Sequence, residues 1–293
     1  MSKEFVTIDP AETDNASVYG ILSGAIGPRP IAFASTLDAE GRPNLAPYSF
    51  FNVFSSNPPV VVFSPVRRGR DNTTKHTLEN IIATGEVVIN SVSYAMVQQM
   101  SLTSTDYDAG VDEFVKGGFT KEASEFVKPY RVKEAPVQFE CKVKDVVALG
   151  TEGGAGNLVI CEIVKIHLQK TILNADNSIN EHKLDLVARM GSNWYTRAID
   201  GMFEVPKPLR NLGVGVDQIP EEFRLSTILT GNDLGKLGNV ERVPSKEEIN
   251  AFLEQDDALK LLVERKDTNA LHSKIQELIN QDNTGDAWKL ILA

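Results

Sequence analysis

At 293 residues the chain is long enough to bury a full core, as one large domain or as a domain with an extension. Its 42% hydrophobic and 24% charged composition is that of an ordinary globular protein, neither disordered nor fibrous. A formal charge of −10 argues against general binding to nucleic acid or anionic membranes, both of which need a basic footprint.

The N-terminal MSKEFVTIDP has no apolar signal core, and no run approaches the roughly 20 apolar residues of a membrane span. No membrane association and a cytoplasmic location are therefore expected. Short apolar runs broken by Gly, Pro and Asn then follow, rich in Val, Ile and Phe. They predict strands over 30–36, 46–54, 60–64, 86–91, 137–149 and 158–168. Asp38-Ala39-Glu40-Gly41 between the first two reads as a hairpin turn, with Gly41 free to take positive φ. Two helices are predicted between strands: 77–83, where Leu78, Ile81 and Ile82 recur at helical spacing before a Thr84-Gly85 stop, and a shorter one over 94–100. Six strands without βαβ alternation predict a mainly β protein with helices, built on an antiparallel barrel.

After Pro206 the pattern becomes helical. Ser245-Lys246-Glu247-Glu248 is a capping box, followed by Ile249, Phe252, Leu253, Leu259 and Leu262 on roughly one face. Leu271, Ile275, Leu278 and Ile279 repeat the pattern, with Thr268 or Asn269 as the expected N-cap. Trp288, Leu290 and Ile291 are too apolar for a free tail and are expected to dock. The predicted division is a barrel domain over 1–205 and a mainly helical extension over 206–293.

The chain has no Walker A loop, HExxH, GxSxG, or strand followed by GxGxxG and a helix. The glycine-rich run 150–156 lies between two strands and does not open a helix, so it reads as a hairpin connection and not a phosphate loop. His76, His167, His182 and His272 lack ligand spacing, so no metal site is expected. Cys141 and Cys161 sit in apolar stretches without a CxxC partner and read as buried thiols.

The informative cluster is 67–80, Arg-Arg-Gly-Arg-Asp-Asn-Thr-Thr-Lys-His-Thr-Leu-Glu-Asn. A phosphate monoester requires cationic groups for its charge and hydroxyl or N–H donors for its oxygens, and a helix N-terminus adds donors and a favourable dipole. Arg67, Arg68, Arg70 and Lys75 supply charge, Thr73, Thr74 and Thr77 supply hydroxyls, and the helix begins there. The same spacing also suits a solvated basic loop with a threonine N-cap.

Several motifs occur in one order: Gly-Pro-Arg-Pro-Ile-Ala-Phe-Ala-Ser-Thr (27–36), Asn-Leu-Ala-Pro-Tyr-Ser-Phe-Phe-Asn-Val-Phe-Ser (44–55), Ser64-Pro65, Lys-His-Thr-Leu-Glu-Asn-Ile (75–81) and Thr-Gly-Glu-Val-Val-Ile-Asn (84–90). With Glu-Ala-Pro-Val-Gln-Phe-Glu-Cys (134–141) and Arg-Met-Gly-Ser-Asn-Trp-Tyr (189–195), this series resembles the flavin reductase-like FMN-binding family that includes flavoredoxin. The resemblance runs from about Tyr19 to Tyr195. It implies a split β-barrel, a homodimer and FMN near the dimer interface. Carried over by residue, it sets Ser35, Thr36, Ser49, Phe50, Phe51, Asn52 and Ser64 against the flavin ring and ribityl chain. It sets Lys75 and Thr77 on the phosphate, aided by Arg70, Asn72 and Thr73, and brings Arg189 and Tyr195 near the flavin. His76 stands where the family usually has Asp, and Met190-Gly191-Ser192-Asn193 is poorer in glycine than the family's late motif.

No side-chain nucleophile is required for hydride chemistry carried by a flavin, in keeping with the absence of a catalytic triad. Tyr48, Phe50, Phe51 and Phe54 are candidates for shaping the ring site or for plain core. The resemblance implies an NAD(P)H-dependent flavin reductase, with a flavin-dependent oxygenase or another redox protein as a partner. The alternatives are a flavoredoxin-type electron carrier and a ligand- or partner-binding module on the same barrel.

Overall fold

The computed structural model describes residues 4–205, 212–265 and 267–293. The chain divides into two units, Met1–Met202 and Phe203–Ala293. The predicted boundary at 205/206 adjoins residues outside the described set.

The first unit opens with helix α1 (Asn15–Ala25), where the Asp14 side chain accepts the Ser17 N–H as N-cap. Strands β1 (Ala32–Leu37), β2 (Pro43–Tyr48), β3 (Phe51–Ser56) and β4 (Pro59–Phe63) lead to helix α2 (His76–Thr84) and strand β5 (Glu86–Asn90). Short helices α3 (Val97–Leu102) and α4 (Glu113–Gly117) precede a small ribbon of β6 (Lys121–Glu122) and β7 (Arg131–Val132). The long strands β8 (Val137–Ala148) and β9 (Asn157–Leu168) follow, and α5 (Glu181–Leu184) leads to the ribbon β10 (Val187–Arg189) and β11 (Tyr195–Arg197).

Seven strands form one antiparallel sheet in the order β2-β1-β5-β8-β9-β4-β3. The chain passes from β2, at one end of that order, straight to β3 at the other. The sheet is therefore rolled, with its two edges joined at Ser49–Phe50. Register shifts in β8/β9 at Glu140/Cys141 and Val143/Asp145 sharpen the bend, as bulges do. Inward residues of five strands meet in one core: Ala32, Ala34, Val61, Phe63, Val87, Ile89, Cys141, Val159 and Cys161, with Leu78 and Ile81 of α2. The other face of β1 and β2 carries Phe33 and Leu45 into a second core with Met96, Met100, Phe114, Phe119 and Val132. Burying each large apolar side chain contributes roughly 1.5–3 kcal/mol. Because β1 is covered on both faces, Ala32 to Thr36 are all buried, the polar Ser35 and Thr36 among them.

Three differences from the sequence reading have physical causes. The expected strand over 46–54 is two strands, because the apolar run changes sheet edge at Ser49–Phe50 without a glycine to mark the corner. The helix expected over 94–100 begins as a 3-10 turn, Tyr94–Met96, before α3. In α2 the Ile82 side chain faces outward at 67% exposure, so Leu78 and Ile81 carry the packing without it.

The second unit contains α6 (Glu221–Arg224), α7 (Gly231–Gly238), α8 (Lys246–Leu253), α9 (Asp257–Glu264), α10 (Thr268–Asn280) and α11 (Thr284–Ile291). Ile219, Phe223, Leu237, Ile275, Ile279, Trp288 and Leu290 form its core, and Trp288 Nε1 donates to the Leu237 carbonyl at 2.8 Å. The Ser245/Glu248 capping box is formed. The single stripe read from Ile249 to Leu262 is broken, since Asp256 caps a new helix by accepting from the Ala258 and Leu259 N–H groups. The N-cap of α10 is Asp267, one residue before the expected pair. Among the described residues no helix is long and apolar enough to cross a membrane.

Candidate functional site

A cleft of about 340 Å³ opens at the joined edges of the barrel, within the 300–1,000 Å³ common for small-molecule sites. Its walls come from α1 (Tyr19), the β2–β3 corner (Tyr48, Ser49, Phe50), the end of β4 (Ser64), the loop and first turn of α2 (Arg68, Lys75, His76, Thr77), the segment 103–107, and the β10/β11 ribbon (Arg189, Tyr195). Tyr19 and Phe50 have ring centroids 6.2 Å apart, and the Arg189 guanidinium lies 4.7 Å over the Tyr195 ring.

Arg29 ties these walls together. Its buried guanidinium donates to the Ile26 carbonyl at 2.6 Å, to the Ser23 carbonyl, to the Met190 carbonyl at 2.9 Å and to Ser49 Oγ at 3.4 Å. Its backbone pairs with Arg189 in both directions at 2.9 Å. A cation at the last carbonyls of α1 also suits the helix dipole.

The basic loop is braced by the β8–β9 connection. Arg67 N–H donates to the Ala155 carbonyl at 2.9 Å, Gly154 N–H donates to the Arg67 carbonyl at 3.0 Å, and Asn72 Nδ2 donates to the Thr151 carbonyl at 3.0 Å. Gly154 has φ +88°, where an L side chain is strained, and a Cβ at Gly153 would come within 3.2 Å of the Arg68 carbonyl. The glycine-rich run is thus a connection whose glycines allow close packing against the basic loop.

Lys75 is the N-cap of α2, so the helix is not capped by a threonine. The N–H groups of its first turn have no carbonyl one turn back within the helix. Lys75 Nζ lies 3.0 Å from Asp106 Oδ1, Arg68 Nε 3.2 Å from the same oxygen, and Arg70 Nη1 3.4 Å from Asp106 Oδ2. Hydrogen bonding to Lys75, together with Arg68, holds the Asp106 carboxyl below its ordinary value despite some desolvation.

Deeper in the cleft, Asn44 Nδ2 donates to Thr77 Oγ1 at 2.8 Å, and the Tyr48 side chain lines the same cleft. Burial pushes the Tyr48 phenol well above its usual range, so it stays protonated. Glu113 is 5% exposed, and one of its oxygens accepts the Leu45 N–H at 3.0 Å. Desolvation raises its carboxyl above the ordinary value.

Of the residues singled out from sequence, Tyr48, Ser49, Phe50, Ser64, Arg68, Lys75, His76, Thr77, Arg189 and Tyr195 line this one cleft. Ser64 Oγ accepts the Asn157 N–H at 3.1 Å. The others stand elsewhere. Ser35 and Thr36 are fully buried on β1; Thr36 Oγ1 accepts from Asn80 Nδ2 at 3.0 Å, and Ser35 Oγ has no hydrogen-bond partner. Phe51 packs on the barrel core, Asn52 is exposed on β3, and Thr73 bonds to Asp71 and Arg68. Arg70 is exposed and reaches the cluster through Asp106. Asn72 closes its own loop, accepting from Arg67 Nε at 2.6 Å, which turns the Arg67 guanidinium to that task as well. Asn44, Asp106 and Glu113 carry no local sequence signal, because their partners lie 31 to 68 positions away.

Residues 25–182 match a family model described as a flavin reductase like domain. An uncharacterized protein of Aquifex aeolicus is 38% identical over 187 residues, covering 64% of this chain and 93% of that protein. Nitrilotriacetate monooxygenase component B from Bacillus cereus has a similar structure, with TM-score 0.65 and 29% identity over 70% of this chain and all of that one. The 2-nitrobenzoate 2-nitroreductase NbaA of Pseudomonas fluorescens gives TM-score 0.61 and 28% identity over 71% of this chain, again covering the whole of the neighbour. With a family match over more than half of its length on a split barrel, the chain belongs to the flavin reductase-like family.

Proposed function

We propose that the cleft holds FMN and that the protein is an NAD(P)H-dependent flavin reductase. The observation that carries this reading is the cluster of Lys75, Arg68 and the Thr77 hydroxyl at the start of α2, in the same cleft as Tyr19, Phe50 and Tyr195. The donor set fits the group. Two cations and a helix N-terminus match a phosphate dianion, the hydroxyls of Ser49 and Ser64 suit a polyol chain, and aromatic faces suit a flat ring.

When bound, FMN supplies the redox chemistry, its ring taking hydride from a dihydronicotinamide and passing the electrons on. The chain's own residues do the rest. Lys75 and Arg68 neutralise phosphate charge, Thr77 and the α2 N–H groups donate to its oxygens, and Tyr48 remains a protonated donor within the cleft. Arg189, held over Tyr195, brings a fixed positive charge to the same walls.

A homodimer and a separate acceptor protein belong to the same proposal. Support for the dimer comes from β3, an end strand of the sheet that exposes Val53 and Phe54 at 66% and 68%. Support for an oxygenase acceptor comes from the likeness to a monooxygenase component.

The test is an absorbance spectrum of the whole chain with FMN, without oxygen, before and after NADH and then NADPH. Bleaching of the flavin bands by either nicotinamide is the expected result. Flavin that is bound but bleached only by a reduced protein such as ferredoxin would replace this reading with an electron carrier. Protein that binds no FMN would leave the barrel as a module for another ligand.

A further inference from the structure

The cationic cluster is closed by a carboxylate of the chain itself. Asp106 accepts from Lys75 Nζ at 3.0 Å and Arg68 Nε at 3.2 Å through one oxygen, and its other oxygen lies 3.4 Å from Arg70 Nη1. These are the groups a phosphate monoester would use, and a carboxylate presents them with the same kind of anionic oxygen. Arg68 is further engaged through Nη1, which donates to Thr73 Oγ1 at 3.0 Å and to the Thr74 carbonyl, so Nε faces Asp106 with its position already set by the loop.

Asp106 belongs to the segment 103–110 between α3 and α4. Thr103, Ser104, Thr105 and Tyr107 of this segment line the cleft with it. The backbone bonds of Ser104, Thr105 and Tyr107 are local, to Ser101, Leu102 and Thr105. Among the described residues, the hydrogen bonds that join this segment to the basic loop and α2 are those of the Asp106 side chain. With 35% of its side chain exposed, Asp106 can leave without opening a core.

We propose that Asp106 is an internal counter-ion that holds the anion site in the free protein, and that a phosphate monoester displaces it on binding, releasing 103–110 from the basic loop. This rests on the FMN reading for the identity of the ligand, while the latch itself is a property of the free chain. A carboxylate and a phosphate dianion repel at this separation, so both cannot keep the same donors. Asp106 therefore sets the affinity of the site by competition, and the same exchange couples phosphate arrival to the position of a cleft wall.

The test compares the full chain with Asp106→Asn. Removing the competing charge is expected to tighten FMN binding about tenfold, the sum of several exposed ion pairs no longer broken on binding. Riboflavin, which lacks the phosphate, should bind both proteins alike. Weaker FMN binding by Asp106→Asn would mean that Asp106 positions the cations, and would overturn the proposal. Hydrogen exchange supplies a readout that needs no flavin: amides of 103–110 should exchange faster in Asp106→Asn than in the parent. Equal exchange in the two proteins would overturn the latch. Failure of the parent to bind FMN would sink the ligand assignment, and the exchange comparison would still decide the latch.

Discussion

Lys75 and Thr77 were legible from sequence as candidates for one cleft because charge, hydroxyl and helix start lie within a few residues of one another. Asp106 and Glu113 were not, because each acquires its meaning from a partner brought close by the fold: Lys75 for Asp106, and the Leu45 N–H for Glu113. The two cysteines were readable as buried thiols, and their surroundings lead to a prediction. Burial pushes the Cys161 thiol up to about 12 and holds the Cys141 thiol well above its ordinary value. Neither should react with a thiol reagent at pH 8 in the native protein, and both should react after unfolding in urea. Rapid native labelling of either would contradict the packing.

Glu140 gives a prediction in pH. Its side chain is fully buried, and desolvation alone would raise its carboxyl. The N–H groups of Glu125, Phe126 and Val127 and the His167 ring outweigh that, leaving it below the ordinary value. A depressed folded-state value stabilises the protein most above the unfolded value of about 4.3, and that stability is lost as pH falls through the folded one. Glu140→Gln should therefore lower the melting temperature at pH 7 and narrow its gap to the parent below pH 4. An equal deficit at both pH values would show that the charge is not what matters.

Elements with a regular apolar pattern were read well, and those without one were missed. β5, β8, β9 and α2 have strong patterns and lie close to where sequence put them. α1 exposes Tyr19, Ile21 and Leu22 and buries only Ser23, so it offers no stripe for a core-facing helix. The break between β2 and β3 went unread because both halves of 46–54 are apolar. In the second unit the α8 capping box was legible because its signal is four residues long. Ser245→Ala should cost the helical unit about 1 kcal/mol, read as a shift in its urea midpoint. No shift would mean that Glu248 and Arg242, 2.7 Å apart, hold the helix start without the serine.

Across the whole chain, the order of motifs from 27 to 195 was enough to point to the barrel, and the family match over 25–182 covers that span up to, but not including, the 189–195 motif. The helical unit carried no functional motif, and its core is made of apolar residues that specify packing only. Every residue lining the cleft lies between Tyr19 and Tyr195. A chain ending at Met202 is therefore expected to bind FMN with an affinity close to that of the full chain. A large loss on truncation would assign the second unit a part in binding.

Flavin fluorescence titration of the full chain and of Lys75→Ala, each with FMN and with riboflavin, tests whether the cleft takes FMN by its phosphate. The parent is expected to bind FMN far more tightly than riboflavin, and Lys75→Ala to lose roughly 10- to 100-fold in FMN affinity while its riboflavin affinity stays the same. Equal affinities of the parent for the two flavins, or unchanged FMN binding by Lys75→Ala, would contradict it.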